Sequence, residues 1–589
     1  MRIPRRKLAG FVREISKSCF ESRQERIQRG LFFETYFASG TNDATNPALF
    51  NKIYEGMDDL ESLLYSPASL RFRIGDLEYP SPLSLAKGRA AAARMRNYAR
   101  TSNTDTMISA ALGVALRKGK GFIKQSWRKN DFAPGLVQPE DLGVLRENCT
   151  QLNEEMEAFS HKLFITPYEL NRLLATHRNK NDLLAKAASH MRQGTGVDEQ
   201  KKAAMQVTVS GLQPYQAAGS GMSPTRGLVD WLSQPKPNLA PQVEQTLMEL
   251  DETWIWDDER EDWATFQMIG DNLMIMGEDQ ILNAFAYDTS TLQSAESLKG
   301  SHPYAEFCVN PTDGYFWGRS EISHLVGLQE CINARITGMN KLLRKQEDPT
   351  KKFTGVAGVN QEVLSRYNRP GGYFSDVNPQ AKVETDQVTI PQGFEMMLHE
   401  YERMFDAVMG LPPIARGKGD TGVRSKSHAD VLVRQFSPRF KDRALLVERN
   451  VEALGGLMLD MARAHIERKL TAWAPAAAAG VEGMKPDPLL PPPAEGLVMV
   501  QFRFGDLPEE ATLQVDSHSA SPAFETENKT LHFDLLKVGA EDASELVEHV
   551  DVQNPEELQA GIMRREAAQA KAKQEEEQMK LMGGLAKKH

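Results

Sequence analysis

Apolar positions recur every three or four residues along several long stretches of this chain, and they alternate with polar ones in a few short stretches. The first pattern buries one stripe of a helix and the second one face of a strand, so the chain reads as α+β. The basic start, MRIPRRKLAGFVREISKSCF, reads as an amphipathic first helix or a flexible arm, because charges interrupt it and no apolar signal core follows. Residues 21–66 and 84–119 carry helical spacing. GFIKQSWR reads as a short strand, and Gly135 to Leu145 as a loop bounded by Pro139. Thr166, with Pro167 next and Glu169 three residues on, is a capping box that opens a helix. Residues 193–240, rich in Gly, Gln, Ser and Pro, read as a loop or insertion. ETWIWDDEREDWATFQMIGDN sets two aromatic-rich runs around the acidic turn Asp257 to Asp262, which predicts a hairpin.

The middle of the chain is more regular. A long helix is expected over Gly318 to Lys345, where Ile322, Leu325, Gln329, Ile332, Ile336, Met339 and Leu343 follow a heptad seam. A second is expected over Phe394 to Met409, with Phe394, Met397, Tyr401, Met404 and Val408 at the same spacing. The residues between them, rich in Gly, Asn and Val, read as a small β-containing module. The stretch from Ser425 to Leu470 reads as one helix with a kink near Phe436, because Pro438 in its interior removes a backbone donor. An Ala/Pro linker follows over 474–496, then the strand GLVMVQFRFG. Two more helices are expected, one opened by Ser521 and Pro522 and one by Asn554 and Pro555.

Between the second helix and the third lies GLPPIARGKGDTGVRSKS, which contains the G-x-G-x-x-G spacing of a dinucleotide-binding turn. That fold needs a strand before the glycines and an acidic residue ending a second strand about twenty residues on. Here a helix end and two prolines precede the motif and a long helix follows, so the context contradicts it. Walker A, nucleophile-elbow and zincin patterns are absent, and the acidic turn at Asp257 lacks the spacing of a calcium loop. Cys19, Cys149, Cys308 and Cys331 lie far apart, which suggests neither a zinc site nor a redox pair. The expectation is therefore no catalytic residue, no metal and no cofactor. The net charge of −10 argues against a nucleic-acid-coating protein, yet Arg416, Lys418, Arg424 and Lys426 against Asp420 leave this glycine-rich loop at +3. Such a loop can touch phosphate without reading sequence. No apolar run is long enough to cross a membrane.

The order of elements resembles that of tailed-bacteriophage portal proteins, the head-to-tail connectors. YFWGRSEISHLVGLQECIN resembles the opening of the first stem helix, and FDAVMGLPPIARGKGDTGVRSKS the end of the second with its tunnel loop. VQPEDLGV followed by FITPYELNRLL resembles the wing, and SPAFETENKTLHFDLLKVGA the start of the crown. The resemblance implies an N-terminal arm and wing over 1–317, stem helices over 318–345 and 392–411, and a small α/β clip over 346–391. It implies a tunnel loop over 412–426, a long kinked helix, linker and wing strand over 427–515, and a helical crown over 516–589.

It further implies a ring-forming homo-oligomer of twelve subunits at one capsid vertex, assembled in the host cytoplasm and carried in the virion. Double-stranded DNA would pass through that ring without sequence recognition during packaging and ejection. Terminase and then a head-tail adaptor would dock on it, among major capsid and scaffolding proteins, and the chain itself would hydrolyse nothing. Stem packing between subunits would use Ile322, Leu325, Ile332, Ile336, Met339, Leu343, Met397, Tyr401 and Met404. Lys351, Lys352, Arg366 and Arg369 would serve the clip, and Arg416, Lys418, Arg424 and Lys426 would face DNA. The competing readings are another virion neck component, a nucleotide-binding enzyme using GKGDTG, or a coiled-coil scaffold.

Overall fold

The computed structural model describes residues 8–42, 47–67, 72–75, 82–128, 131–174, 180–188, 192–194, 245–270, 273–276, 302–347, 351–354, 382–385, 393–410, 438–475, 497–508, 511–515 and 533–538. Among these the architecture is α+β. The basic start forms helix α1 (Leu8–Cys19), which buries Val12, Ile15 and Cys19. The stretch expected to be helical over 21–66 is two helices, α2 (Arg23–Ser39) and α3 (Lys52–Leu64). After β1 (Phe72–Gly75), the 84–119 stretch also divides, into α4 (Pro82–Thr101) and α5 (Thr104–Lys118), because Asn103 takes a left-handed conformation (φ 58) between them.

The region read as a loop over 135–145 carries strand on both sides of Pro139: β2 (Lys120–Arg128) is followed by β3 (Asp131–Val137) and β4 (Leu142–Val144). Strand β3 contains Pro134. It is tolerated because β3 lies at the edge of a three-stranded sheet, where its missing N–H breaks no inner ladder. Then come β5 (Ala158–Ile165), α6 (Pro167–Leu173), α7 (Lys180–Ala187), β6 (Arg192–Gly194), β7 (Gln245–Asp257), β8 (Asp262–Ile269), β9 (Leu273–Met276) and β10 (Tyr304–Cys308). The Thr166 capping box opens α6 and the acidic turn joins β7 to β8, both as expected. Most of the predicted insertion over 193–240 lies outside the described residues.

Six strands form the larger sheet, in the order β4-β5-β7-β8-β9 with β6 on β7, and all the pairings are antiparallel. Alternation along its strands sorts two cores. Ala158, Ile255, Phe266 and Met268 pack under α1 on one face. Phe159, Trp254 and Trp263 face the other way, toward Phe122, Tyr304 and Trp317. The second sheet, β10-β2-β3, closes over that aromatic layer. A buried ion pair bridges the two sheets, with Lys124 Nζ 2.5 Å from Glu252 Oε1. Tyr304 Oη and Trp254 Nε1 also donate to that oxygen at 3.0 Å each.

The remaining elements are helix α8 (Ile322–Glu347), strands β11 (Lys351–Thr354) and β12 (Lys382–Thr385), helix α9 (Gly393–Met409), helix α10 (Pro438–His465), and strands β13 (Leu470–Pro475), β14 (Leu497–Phe502) and β15 (Thr512–Val515). Helix α8 starts four residues later than the seam suggested: Gly318 has φ 63, and the chain turns there before it enters the helix. The described part of the long helix opens at Pro438, so proline stands at its first turn, where an N–H is not needed. Residues 411–437 lie outside the described residues, and with them the predicted kink. The same stretch was expected to stay helical to Leu470, but α10 stops at His465 and Leu470 begins β13, which pairs with β14 through Leu470↔Phe502. That pairing also takes Ala474 and Pro475 out of the expected linker. Of the expected crown, 533–538 is a short helical turn, while Ser521, Asn554 and the final helix lie outside the described residues.

Candidate functional site

Helices α8 and α9 form an antiparallel hairpin. Near its outer end Gly338 faces Phe394, and the Arg335 guanidinium lies 5.4 Å from the Phe394 ring. At its inner end Phe405 and Met409 of α9 are buried in the same core as Ile322, Leu325 and Ile332 of α8. Beyond the hairpin tip β11 pairs with β12, in the register Lys351↔Thr385 to Thr354↔Lys382.

The base of the hairpin is held by polar groups that apolar spacing does not reveal. Arg443 of α10 donates from Nη2 to both oxygens of Glu321, at 2.9 and 2.8 Å, and from Nη1 to the carbonyl of Met409 at 3.3 Å. One guanidinium thus joins the residue before α8, the last residue of α9 and the first turns of α10. Glu321 is completely buried, and Asn310 Nδ2 donates to its Oε2 at 2.8 Å. Farther along α8, Gln329 Oε1 accepts the backbone N–H of Lys52 and Ile53 at 3.0 and 3.2 Å, as a capping side chain would. Its Nε2 donates to the Phe50 carbonyl and to Asn333 Oδ1, and Asn333 in turn donates to the Gly40 carbonyl. Two side chains one helical turn apart therefore rivet the α2–α3 connection to α8. Lys52 Nζ, nearly inaccessible, lies 3.6 Å from Asp406 of α9 and 3.1 Å from Glu55.

Burial falls away along the hairpin. The buried residues of α8 end at Ile332, and those of α9 are Phe405 and Met409 alone. From Ile332 to Glu347 the helix runs on for about 22 Å at about 1.5 Å per residue. On α9, Met396, Met397 and Met404 are 71%, 36% and 44% exposed. Met397 and Met404 are seven residues apart and share one stripe.

This sorts the expected stem contacts. Ile322, Leu325 and Ile332 are fully buried inside their own chain, so they are not available to a neighbouring subunit and are corrected to core positions. Ile336 and Tyr401 are half-buried against that core. Met339 and Leu343 are half-buried, and Met397 and Met404 are exposed. Lys351 and Lys352 stand on β11, opposite Thr385 and Glu384. Arg366, Arg369, Arg416, Lys418, Arg424 and Lys426 lie outside the described residues. Among the described residues no three His, Cys, Asp or Glu side chains are grouped to hold a metal ion, and no helix is long and apolar enough to cross a membrane.

Arg443, Glu321, Asn333 and Lys52 were not legible as a cluster, since they come from three separate segments. Gln329 did carry a signal, because a polar residue on an apolar seam needs a buried partner.

No family model matches the sequence, and no curated protein does. Among solved structures, the chain is similar to one described as the neck of a native gene transfer agent particle computed with C12 symmetry. The likeness has 9% identity over 83% of this chain and 87% of that one, with a TM-score of 0.34. A second is the virion of the native gene transfer agent particle, at 10% identity over 91% of this chain and 97% of that one, with a TM-score of 0.37.

Proposed function

We propose that this chain is a phage portal protein. Copies of it form a ring at one capsid vertex, and that ring is the channel for double-stranded DNA and the dock for terminase and later for head-tail adaptor proteins. The observation that carries this reading is the helix hairpin, gripped at its base by Arg443, Glu321 and Gln329, with no fully buried residue of α8 past Ile332 among the described residues and with exposed methionines along α9. The outer part of a two-helix hairpin buries too little to be rigid by itself, and most helical stability comes from packing an apolar face. A second copy of the same hairpin supplies that packing, and repetition around a closed axis makes a barrel of helices. The β11–β12 pair then sits on the rim, where partner proteins dock, with Lys351, Lys352, Arg366 and Arg369 as its cations.

In this reading Arg416, Lys418, Arg424 and Lys426 reach the DNA backbone from the segment that links α9 to α10. Phosphate contacts carry no sequence information, which suits a conduit for a whole genome. The chain performs no chemistry; the energy for translocation comes from the docked motor. The test is negative-stain electron microscopy of the purified full chain. Class averages showing rings of about a dozen subunits round an open hole are expected. Compact monomers at every concentration and salt overturn the reading.

A further inference from the structure

Helix α4 carries a charge pattern that the proposed channel does not use. Its twenty residues, PLSLAKGRAAAARMRNYART, include Lys87, Arg89, Arg94, Arg96 and Arg100 and no acidic residue, in a chain whose net charge is −10. Its apolar side is committed to the fold, because Ala91, Ala92, Met95 and Ala99 are buried in the main core. The opposite side presents Arg89, Ala93, Asn97 and Arg100 to solvent, with Arg96 half-exposed between them. Arg89, Arg96 and Arg100 are seven and four residues apart, which at about 100° per residue puts them within about 40° of one another and spread over about 16 Å. Small side chains separate them, so a partner can come close to the helix. Strand β1 runs beside this helix: a Cβ on Gly88 would stand 2.8 Å from the Ile74 carbonyl, and the neighbouring Arg73 is exposed. An opposing charge whose field reaches the row is Asp105 at the start of α5, itself partly buried.

From this row we infer a second surface for a nucleic-acid backbone, separate from the 412–426 loop, and assign double-stranded DNA as its ligand. Three guanidinium groups in a line suit the regular phosphates of a duplex, which carries about one negative charge per 1.7 Å of its axis. Single strands are held by aromatic platforms on which bases stack. This stripe has none: Tyr98 is half-buried under the Arg94 guanidinium and packs edge-on to Phe132. The contact reads no sequence, since phosphate contacts carry no base information.

The experiment uses the full chain with Arg416, Lys418, Arg424 and Lys426 replaced by alanine, so that binding left over belongs to another surface. Fluorescence anisotropy with a short labelled duplex is recorded over a salt series, with and without Arg89→Gln, Arg96→Gln and Arg100→Gln. Removing three phosphate contacts should lower the slope of log affinity against log salt by up to about 2.7, equally for two unrelated sequences. Arg89→Gln alone, on an exposed residue, should lower it by about 0.9, with the melting midpoint recorded on the same sample to check the fold. Unchanged slopes overturn the inference. Tighter binding to a single strand than to the duplex overturns the choice of ligand. Loss of binding to polyglutamate with duplex binding intact assigns the row to an acidic protein instead and also overturns it. Ring formation is scored on the same samples by electron microscopy. A chain that binds duplex through α4 without forming rings keeps this inference and sinks the portal reading, and the converse result separates them the other way.

Discussion

Met409 occupies the space that any side chain at position 56 would need: a Cβ built on Gly56 would collide with Met409 Sδ and stand 3.2 Å from the Phe405 ring. Helix α3 and the inner end of α9 touch through that gap, so the glycine sets how closely the N-terminal helices clasp the hairpin. Gly56→Val should destabilise the chain by about 1–3 kcal/mol through overpacking, since a buried side chain cannot simply swing aside. Adding Met409→Ala should recover part of that loss, because it removes the opposing atoms. Chemical denaturation of the two single variants and the double variant gives the coupling. Strict additivity would show that the two positions do not compete for space.

Glu321 and Arg443 form a buried pair, and removing one partner leaves the other charged without compensation. Glu321→Gln or Arg443→Met alone should cost about 3–5 kcal/mol, whereas Glu321→Leu with Arg443→Met should cost clearly less than either. The readout is the denaturant midpoint at neutral pH. Equal losses in single and double variants would mean that the pair matters through shape and not through charge.

Gln329 tests how α8 is tied to the N-terminal helices. Gln329→Leu keeps much of the volume but leaves the N–H groups of Lys52 and Ile53 without their acceptor, at a cost of about 1–3 kcal/mol. Hydrogen exchange at those two amides should speed up more than exchange elsewhere in α3. Uniform acceleration along the helix would instead indicate general loosening.

Gln329 also shows what was legible and what was not. Periodicity finds the hairpin, the capped helix at Thr166 and the β7–β8 turn, because each is a local pattern repeated over one element. It places Ile322, Leu325 and Ile332 on one stripe correctly, yet it cannot say whether that stripe meets the same chain or another copy. That depends on α2, α3 and α10 folding back from distant segments. The breaks at Asn103 and Gly318 are backbone conformations, which hydrophobic spacing does not report. Strand β3 was missed where Gly135 to Leu145 read as a loop, and β13 where Ala474 and Pro475 read as the start of a linker; an edge position and a partner strand override those residues' preference for other structure.

His302 is expected to make stability depend on pH. Burial holds its imidazole below the ordinary pKa of 6.5, and the contacts fix one tautomer: Nε2 donates to the Leu152 carbonyl at 2.6 Å while Nδ1 accepts the Tyr304 N–H at 3.4 Å. Protonating Nδ1 would set two N–H groups against each other. The unfolded chain therefore takes up a proton at higher pH than the folded one. Stability is fully present above pH 6.5 and falls as pH drops from there toward the folded pKa, with a slope of at most about 1.4 kcal/mol per pH unit. Burial lowers His465 in the same sense. The raised carboxyls of Glu61, Asp105, Asp251 and Asp460, pushed up by burial, act in the opposite sense. Thermal melts of the parent and of His302→Gln between pH 7.5 and 5.5 should differ in slope by up to that amount. Parallel curves would remove His302 as the cause.

Met397 and Met404 decide whether the exposed stripe of α9 is a contact between subunits. Glutamate has nearly the same helix propensity as methionine, so Met397→Glu with Met404→Glu should shift the stability of the single chain by only about 0.5 kcal/mol at such exposed positions. In a closed ring this stripe on each subunit would meet a different patch of one neighbour, so the added carboxylates would be desolvated at every interface around the circle. Buried unpaired charge is costly enough to dominate a contact made of a few methionines. Sedimentation velocity should therefore show the variant as monomer at concentrations where the parent chain assembles, with an unchanged melting midpoint for the monomer. A variant that still forms rings would remove this stripe from the interface. The contact would then have to fall on the half-buried flank of α8, at Met339 and Leu343, where the same pair of substitutions would be made next.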